Sequence, residues 1–218
     1  MCGRFTQNLT WEQLVALYEL SNPLIPNLRP SWNLAPTEDA GVIVPSENGL
    51  VYTTMRWGLV PFWAKDLKIG SSLINARLDS ASTKPAFRSA WKERRCLIPA
   101  SGYYEWLSIS VEGEKKPRKQ PYYITRKDGL PFTFAGLWER WKDGMLSFTI
   151  LTTDAGGATR DLHDRMPVIL DEAAMSLWSE WGEVHMPDDL DDRVQLFPVS
   201  PRVNNPRYKE PDCIAPLT

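Results

Sequence analysis

Most of the chain consists of short apolar segments separated by turn-forming residues, a pattern typical of β-strands. Residues 51–57, VYTTMRW, alternate with a period of two, and Asn48-Gly49 before them is a typical hairpin turn. The same reasoning predicts further strands at 41–44, 96–99, 102–106, 121–125, 132–137, 146–152, 166–170 and 194–199. The pattern therefore indicates a protein built mainly from β-sheet.

Three segments have the capping residues or the apolar spacing of helices. Thr10 and Gln13 are the residue types of a capping box, which predicts a helix over 10–20. Pro85 suits the first turn of a helix over 85–94, and Asp171 can cap one over 172–179. The segments 22–38, 66–73 and 201–218 favour loop or extended chain. With neither an internal repeat nor a linker, we expect one α+β domain over residues 1–218, with a mainly antiparallel, barrel-like β core and a few flanking helices.

The composition is that of a soluble globular protein. Hydrophobic residues make up 43% and charged residues 24%, and no apolar run approaches the ~18–20 residues of a membrane helix. The first twenty residues do not resemble a signal peptide. Three cysteines without a CxxC pair and two histidines without a ligand cluster predict neither a disulfide framework nor a metal or other cofactor. A reduced, cytoplasmic setting is expected.

The charges are unevenly distributed although the net charge is only −2. Residues 1–127 contain 17 Lys and Arg against 11 Asp and Glu, whereas residues 128–218 contain 8 against 16. A basic front half is compatible with a local phosphate-binding face, and one or two of the ten tryptophans could stack on bases. The basic segment 84–95 could equally be solvated surface, and we interpret 114–120 as a solvated hairpin loop.

Cys2 is the residue with the most distinctive chemistry. A methionine followed by a small residue is normally removed, which would leave the Cys2 α-amine free beside its thiol. These groups titrate near ~7.7–8.0 and ~8.5, so both are partly nucleophilic at neutral pH. The amine can attack an aldehyde and the thiol can then close a five-membered thiazolidine ring; alternatively, the thiol attacks an amide with the amine as base. Cys2 could also be an ordinary, frayed terminal residue.

Other residues could supply acid, base and phosphate-binding groups. Glu105 lies among aromatic residues, where burial would raise its pKa, although it could equally be on the surface. His163 can act as acid or base near neutrality, or it can be a structural histidine. Asn75 and Arg77 would share one face of an extended segment, and Arg4 would lie on the same side as Cys2. None of these residues is specific when taken singly.

Eight motifs occur in order within residues 2–167: CGRF at 2–5, NLAP at 33–36, RWGLVP at 56–61, NAR at 75–77, RCLIPA at 95–100, GYYEW at 102–106, AGLW at 135–138 and HDRMP at 163–167. Together they resemble the SOS-response-associated peptidase (SRAP) family, which shields abasic sites in single-stranded DNA. Beyond about Leu170 the resemblance is only general.

The resemblance implies that Cys2, freed of Met1, bonds covalently to the aldehyde of a ring-opened abasic sugar. Asn75 would hold the amine, and Glu105 and His163 would move protons. The implied DNA-binding residues are Arg4, Asn33, Pro36, Phe62, Trp63, Arg77, Thr152 and Arg165, with Phe62 and Trp63 as a wedge at single-strand/double-strand junctions. Asp79 stands where the family often has Glu.

The resemblance also implies single-stranded DNA containing abasic sites as the partner, no metal, a monomer and association with the nucleoid when DNA is bound. Two alternatives stay open: a peptidase or amidohydrolase with Cys2 as N-terminal nucleophile, including self-processing, and a non-catalytic single-stranded DNA-binding module. An imine intermediate would also make strand cleavage by β-elimination possible.

Overall fold

The alternating segments form strands in the computed structural model, which describes residues 2–22, 24–110, 113 and 116–217. Met1 and part of the predicted hairpin loop at 114–120 lie outside the described residues. The predicted strand segments fall in strand, except that 166–170 is divided at Val168 and Val199 lies just beyond its strand, in an isolated bridge with Pro216. The strands are β1 (Phe5–Gln7), β2 (Ser31–Leu34), β3 (Asp39–Ser46), β4 (Gly49–Trp57), β5 (Asn75–Arg77), β6 (Arg95–Ala100), β7 (Gly102–Ile109), β8 (Arg118–Arg126), β9 (Phe132–Arg140), β10 (Leu146–Asp154), β11 (Arg165–Pro167), β12 (Ile169–Leu170) and β13 (Val194–Pro198).

The larger sheet closes on itself. Its strands follow the order β10-β4-β3-β6-β9, and β9 pairs in turn with β10. Most neighbours are antiparallel, whereas β10 pairs in parallel with both β4 and β5. The expected barrel-like, mainly antiparallel core in an α+β domain is therefore confirmed.

A second sheet has the order β13-β8-β7-β1-β2. The chain passes from the barrel to this sheet at Ser101, between β6 and β7. Strand β1 was not predicted. It lies between β2 and β7, with Phe5 opposite both Leu34 and Tyr103, so the N-terminal segment is part of a sheet.

Helices flank the sheets: α1 (Trp11–Tyr18), α2 (Leu78–Ala81), α3 (Arg88–Glu93), α4 (Glu172–Trp181) and α5 (Leu190–Arg193). The capping box of α1 is confirmed, because Thr10 Oγ1 accepts from the Gln13 N–H at 3.3 Å and Gln13 Oε1 from the Thr10 N–H at 2.9 Å. Asp171 likewise caps α4.

The start of one predicted helix and the predicted conformation of the tail were wrong. The helix predicted over 85–94 begins only at Arg88, because tight turns precede it, including one from Lys84 to Phe87 at 3.0 Å. The tail from Pro201 was expected to be extended, but it forms 3-10 turns at Pro201–Asn204 and Pro211–Ile214. The Ser200 hydroxyl starts the first of these by accepting the Arg202 N–H at 3.3 Å.

The main core fills the space between the barrel and the second sheet. Phe5 packs edge-on against Trp57 with ring centroids 5.0 Å apart, and Tyr103 packs edge-on against Phe134. Cys2 belongs to the same cluster and has no exposed surface. Burial of these side chains stabilises the fold and fixes the N-terminal segment inside it. Among the described residues, no helix is long and apolar enough to cross a membrane.

Candidate functional site

Cys2 is anchored rather than frayed. Its side chain is completely buried, and its Sγ lies 3.7 Å from the Arg4 carbonyl oxygen. The Asn75 side-chain amide donates a hydrogen bond of 2.9 Å to the Cys2 carbonyl oxygen. Burial raises the pKa of the Cys2 thiol well above its ordinary value, and the negative charge of Glu105 adds to the rise. The thiol is therefore neutral at neutral pH.

Strand β5 positions Asn75. It pairs in parallel with β10, with Asn75 opposite Ile150, and the Trp57 indole N–H donates to the Ile74 carbonyl at 3.0 Å. The Nδ2 of Asn75 contacts Cys2, whereas its Oδ1 is buried without a hydrogen-bond partner among the described residues. Because a buried acceptor favours a donor, this oxygen can take one from an amine beside Cys2.

Glu105 is the acid-base group that lies deepest in the site. In β7, Tyr103 and Glu105 are two residues apart and point to the same face, on which Cys2 also packs. Glu105 is only 3% exposed, and burial raises its pKa from 4.5 to about 7. A carboxyl group with this pKa can both donate and accept a proton near neutrality.

Tyr103 is a site residue that the sequence reasoning did not single out. Tyr103 is buried. Burial raises the pKa of its hydroxyl, and the charges of Cys2 and Glu105 raise it further. Tyr103 packs in the same core cluster as Cys2 and lies on the same face of β7 as Glu105, so it belongs to the site. The alternation within GYYEW would have placed Tyr103 on the Glu105 face and was the available signal.

His163 lies at the edge of the site, with its side chain 34% exposed. Its Nδ1 is 2.6 Å from a carboxylate oxygen of Asp164 and 3.0 Å from the backbone nitrogen of Arg165. The Asp164 carboxylate favours a His163 Nδ1 that has a proton, whereas the Arg165 backbone N–H favours an Nδ1 without one. The two contacts therefore suit different protonation states of the imidazole. Partial burial lowers the His163 pKa, which keeps a neutral imidazole available near pH 7.

The two arginines of the predicted phosphate site are both paired with aspartates. Arg77 is half-exposed and bonds bidentately to Asp79, with the shortest contact 2.7 Å. Arg165 is largely buried; its Nη1 lies 2.6 Å from Asp154 Oδ1, and its Nη2 donates to the Thr152 carbonyl at 2.6 Å.

Thr152 lies on β10, between the two strands that carry Arg77 and Arg165. In β10 it pairs with Arg77 on one side and with Pro167 on the other. Its side chain is completely buried, and its hydroxyl donates to the Ala76 carbonyl at 3.4 Å. Thr152 therefore aligns β5 and β11, the strands that hold the two arginines.

Arg4 and Asn33 lie away from Cys2. The Arg4 guanidinium donates to Asn33 Oδ1 at 2.9 Å and lies over the Trp106 ring, on the face of β7 opposite to Glu105. The buried Asn33 amide donates to the backbone carbonyls of Val203, Asn205 and Tyr208 in the tail. The expectation that Arg4 shares the Cys2 side was wrong, because Trp106 and the tail attract its guanidinium.

Phe62 and Trp63 are exposed on the loop after β4, by 58% and 49% respectively. Two contacts hold this loop: the Val60 N–H donates to Ser147 Oγ at 2.9 Å, and the Trp141 indole donates to the Ala64 carbonyl at 2.9 Å. The pair is thus presented to solvent from a fixed support.

Pro36 lies in a turn after β2 and is half-buried. The Glu38 N–H closes the turn by donating to the Ala35 carbonyl at 3.2 Å. The Thr37 N–H joins the turn to the end of β4 by donating to the Trp57 carbonyl at 2.8 Å. Within the described part of the chain, no cluster of three or more His, Cys, Asp or Glu side chains has the arrangement of a metal site.

A family model described as SOS response associated peptidase (SRAP) matches residues 1–206. The chain is 34% identical to the abasic site processing protein YoqW of Bacillus subtilis, covering 98% of this chain and 99% of that protein. It is 30% identical to the abasic site processing protein HMCES of Rattus norvegicus, covering 99% and 76%.

Solved structures with the same fold include one from Bacteroides thetaiotaomicron, with a TM-score of 0.78, 22% identity and complete coverage of both chains. Another is from Bordetella bronchiseptica, with a TM-score of 0.74 and 26% identity, covering 91% of this chain and all of that one. These structures show that the fold also occurs in bacterial proteins.

Proposed function

Because the chain belongs to the SOS response associated peptidase (SRAP) family, we propose that it processes abasic sites in single-stranded DNA by bonding covalently to them through Cys2. The similar proteins from Bacillus subtilis and Rattus norvegicus are named abasic site processing proteins. The observation that carries the proposal is the Cys2 position: its thiol is buried beside Glu105 and its carbonyl is held by Asn75 at 2.9 Å.

The chemistry requires an aldehyde and a 1,2-aminothiol. Removal of Met1 gives Cys2 a free α-amine, and the ring-opened abasic sugar supplies the aldehyde at C1′. The amine adds to C1′, and loss of one water gives an imine. The thiol then adds to the imine carbon while its proton passes to the nitrogen, which closes a thiazolidine ring. The net change is one C–N bond, one C–S bond and one released water.

Each neighbouring side chain has a task in this sequence. The free acceptor oxygen of Asn75 positions the amine. Glu105, with a pKa of about 7, takes the thiol proton as sulfur attacks and returns it to nitrogen, which suits a thiol whose own pKa is raised. His163, partly exposed and mostly neutral, protonates and deprotonates the sugar oxygens during ring opening.

DNA binding needs phosphate contacts and stacking but no base readout. Arg77 and Arg165 flank the site on β5 and β11 and are suited to the adjacent phosphates. The exposed Phe62 and Trp63 suit stacking at a junction where the duplex begins. The protein would act as a monomer, in the cytoplasm and on the nucleoid.

Two further activities fit the same residues. The imine allows β-elimination, in which a base such as Glu105 removes the C2′ proton and the 3′ phosphate leaves. A peptidase reaction through the Cys2 thiol is the rival, and the family description names it. Complete burial and a raised pKa disfavour direct thiolate attack on an external amide, whereas attack by the amine first requires no thiolate.

A denaturing gel tests the proposal. Wild-type protein mixed with a single-stranded oligonucleotide carrying one abasic site should give a shifted, heat-resistant band. Cys2→Ser should not, because serine can form the imine but cannot close the sulfur ring. Absence of the band from wild type would refute the proposal; hydrolysis of a peptide without DNA would favour the peptidase.

A further inference from the structure

Two arginines and one histidine of the proposed DNA site are each paired with an exposed aspartate carboxylate. Asp79 bonds to Arg77, Asp154 bonds to Arg165, and Asp164 lies 2.6 Å from His163 Nδ1. Asp154 and Asp164 are 86% and 85% exposed, so neither is required to fill the interior. The groups that should receive phosphate are thus already engaged with carboxylates of the chain itself.

These groups lie on one face of the protein. The pKa of Arg77 is raised first by its bond to Asp79, and the charges of Asp154 and Asp164 raise it further. The pKa of Asp79 is lowered first by Arg77 and in part by Arg165. Strand pairing agrees, because Thr152 and Asp154 in β10 connect the two arginine-bearing strands.

The Arg77–Asp79 ion pair contributes little to the stability of the fold. Exposed pairs contribute little to stability, since water solvates the separated ions well. The Arg77–Asp79 pair is exposed on both sides, and both residues belong to adjoining segments of one connection, β5 and α2. A bidentate carboxylate nevertheless uses the same N–H groups that a phosphate would use. A phosphate must therefore displace the aspartate.

We propose that Asp79 and Asp154 compete with DNA phosphates for their arginines and so lower the affinity for undamaged DNA. This inference rests on the proposed function, in which retention at a lesion comes from the covalent bond to Cys2. A protein that held every single strand tightly would be sequestered on undamaged DNA. Weak reversible binding followed by covalent capture instead makes the aldehyde the basis of selectivity.

The test measures binding of a labelled undamaged single strand by fluorescence anisotropy over a range of salt concentrations. Asp79→Asn and Asp154→Asn keep the side-chain shape and remove the competing charge. Asp161→Asn is the matched control, because Asp161 is exposed and its carboxylate makes no ion pair within the described residues. Each test variant should bind about two- to fivefold more tightly than the control, the range for one exposed ion pair.

Two further measurements distinguish local competition for an arginine from a general effect of net charge. The slope of log affinity against log salt should steepen by up to about 0.7 for each freed arginine. In an Arg77→Ala background, Asp79→Asn should give no gain, since the competition acts through Arg77. Binding no tighter than that of Asp161→Asn, or an equal gain without Arg77, would overturn the inference.

The adduct gel with abasic DNA is run separately on the same proteins. Tighter binding by the variants together with no adduct from wild type would refute the proposed function and leave the competition standing. Normal adducts together with unchanged binding would refute only the competition.

Discussion

Replacement of Glu105 by glutamine should change how stability and adduct formation depend on pH. The substitution keeps the size and polarity of a side chain that is 3% exposed and removes its titration. Burial raises the Glu105 pKa from 4.5 to about 7, so the folded protein binds a proton there that the unfolded chain releases earlier.

The direction and size of the stability change with pH follow from the difference between the folded and unfolded pKa of Glu105. Below pH 4.5 the carboxyl is neutral in both states and has no titration cost. As pH rises from about 4.5 to about 7, the unfolded chain ionises while the folded protein keeps its proton, so stability is lost relative to the glutamine variant, and the loss levels off above about pH 7. A difference near 2.5 pKa units corresponds to about 3 kcal/mol. Between pH 5 and pH 8, wild type should therefore lose about 2–3 kcal/mol more than Glu105→Gln.

Urea unfolding of both proteins at several pH values between 4.5 and 8.5 measures this difference directly. Any constant cost of the buried amide cancels, because only the change with pH is compared. In wild type, the rate of adduct formation should also rise as Glu105 ionises near pH 7, and this step should be missing from Glu105→Gln. Parallel stability profiles for the two proteins would refute the assignment of a perturbed carboxyl at this position.

Two other substitutions separate DNA contact from structural support. Trp63→Ala should weaken binding to a single-strand/double-strand junction by about 1–3 kcal/mol, the contribution of one stacked base. The control Trp181→Ala removes a tryptophan that is 71% exposed on α4 and should not weaken binding; equal losses for the two variants in a binding titration would contradict the wedge. Asn33→Ala should lower the free energy of unfolding by about 1–3 kcal/mol, because Arg4 and three tail carbonyls lose their hydrogen-bond partner. An unchanged midpoint of urea unfolding would show that the tail does not depend on this amide.

The sequence predicts local features best. The starts of α1 and α4 depend on bonds within four residues, from Thr10 to Gln13 and from Asp171 to Ala174, and both were predicted. Strand β1 has only three residues and pairs with strands about 27 and 97 positions away, so no local pattern marks it. Its position decides that Cys2 is buried rather than frayed.

The sequence likewise predicts only those parts of the candidate site that depend on local patterns or on the family motifs. Alternation within GYYEW places Glu105 on one face, and the family resemblance brings Cys2, Asn75 and Glu105 together. The environments of Arg4 and Asn33 depend on a tail some 170 residues later in the chain, which no motif near position 33 can indicate. Asp79, the carboxylate partner of Arg77, is only two positions away in the sequence. Asp154, in contrast, meets Arg165 only because β10 and β11 pair.

Intact-mass spectrometry of the denatured protein after reaction with an abasic oligonucleotide tests the central claim most directly. Wild type should lack Met1 and gain the oligonucleotide mass less one water, with the modified peptide mapping to Cys2. Cys2→Ser should return unmodified. The same stable adduct on Cys2→Ser, or an adduct on protein that retains Met1, would contradict capture by the aminothiol.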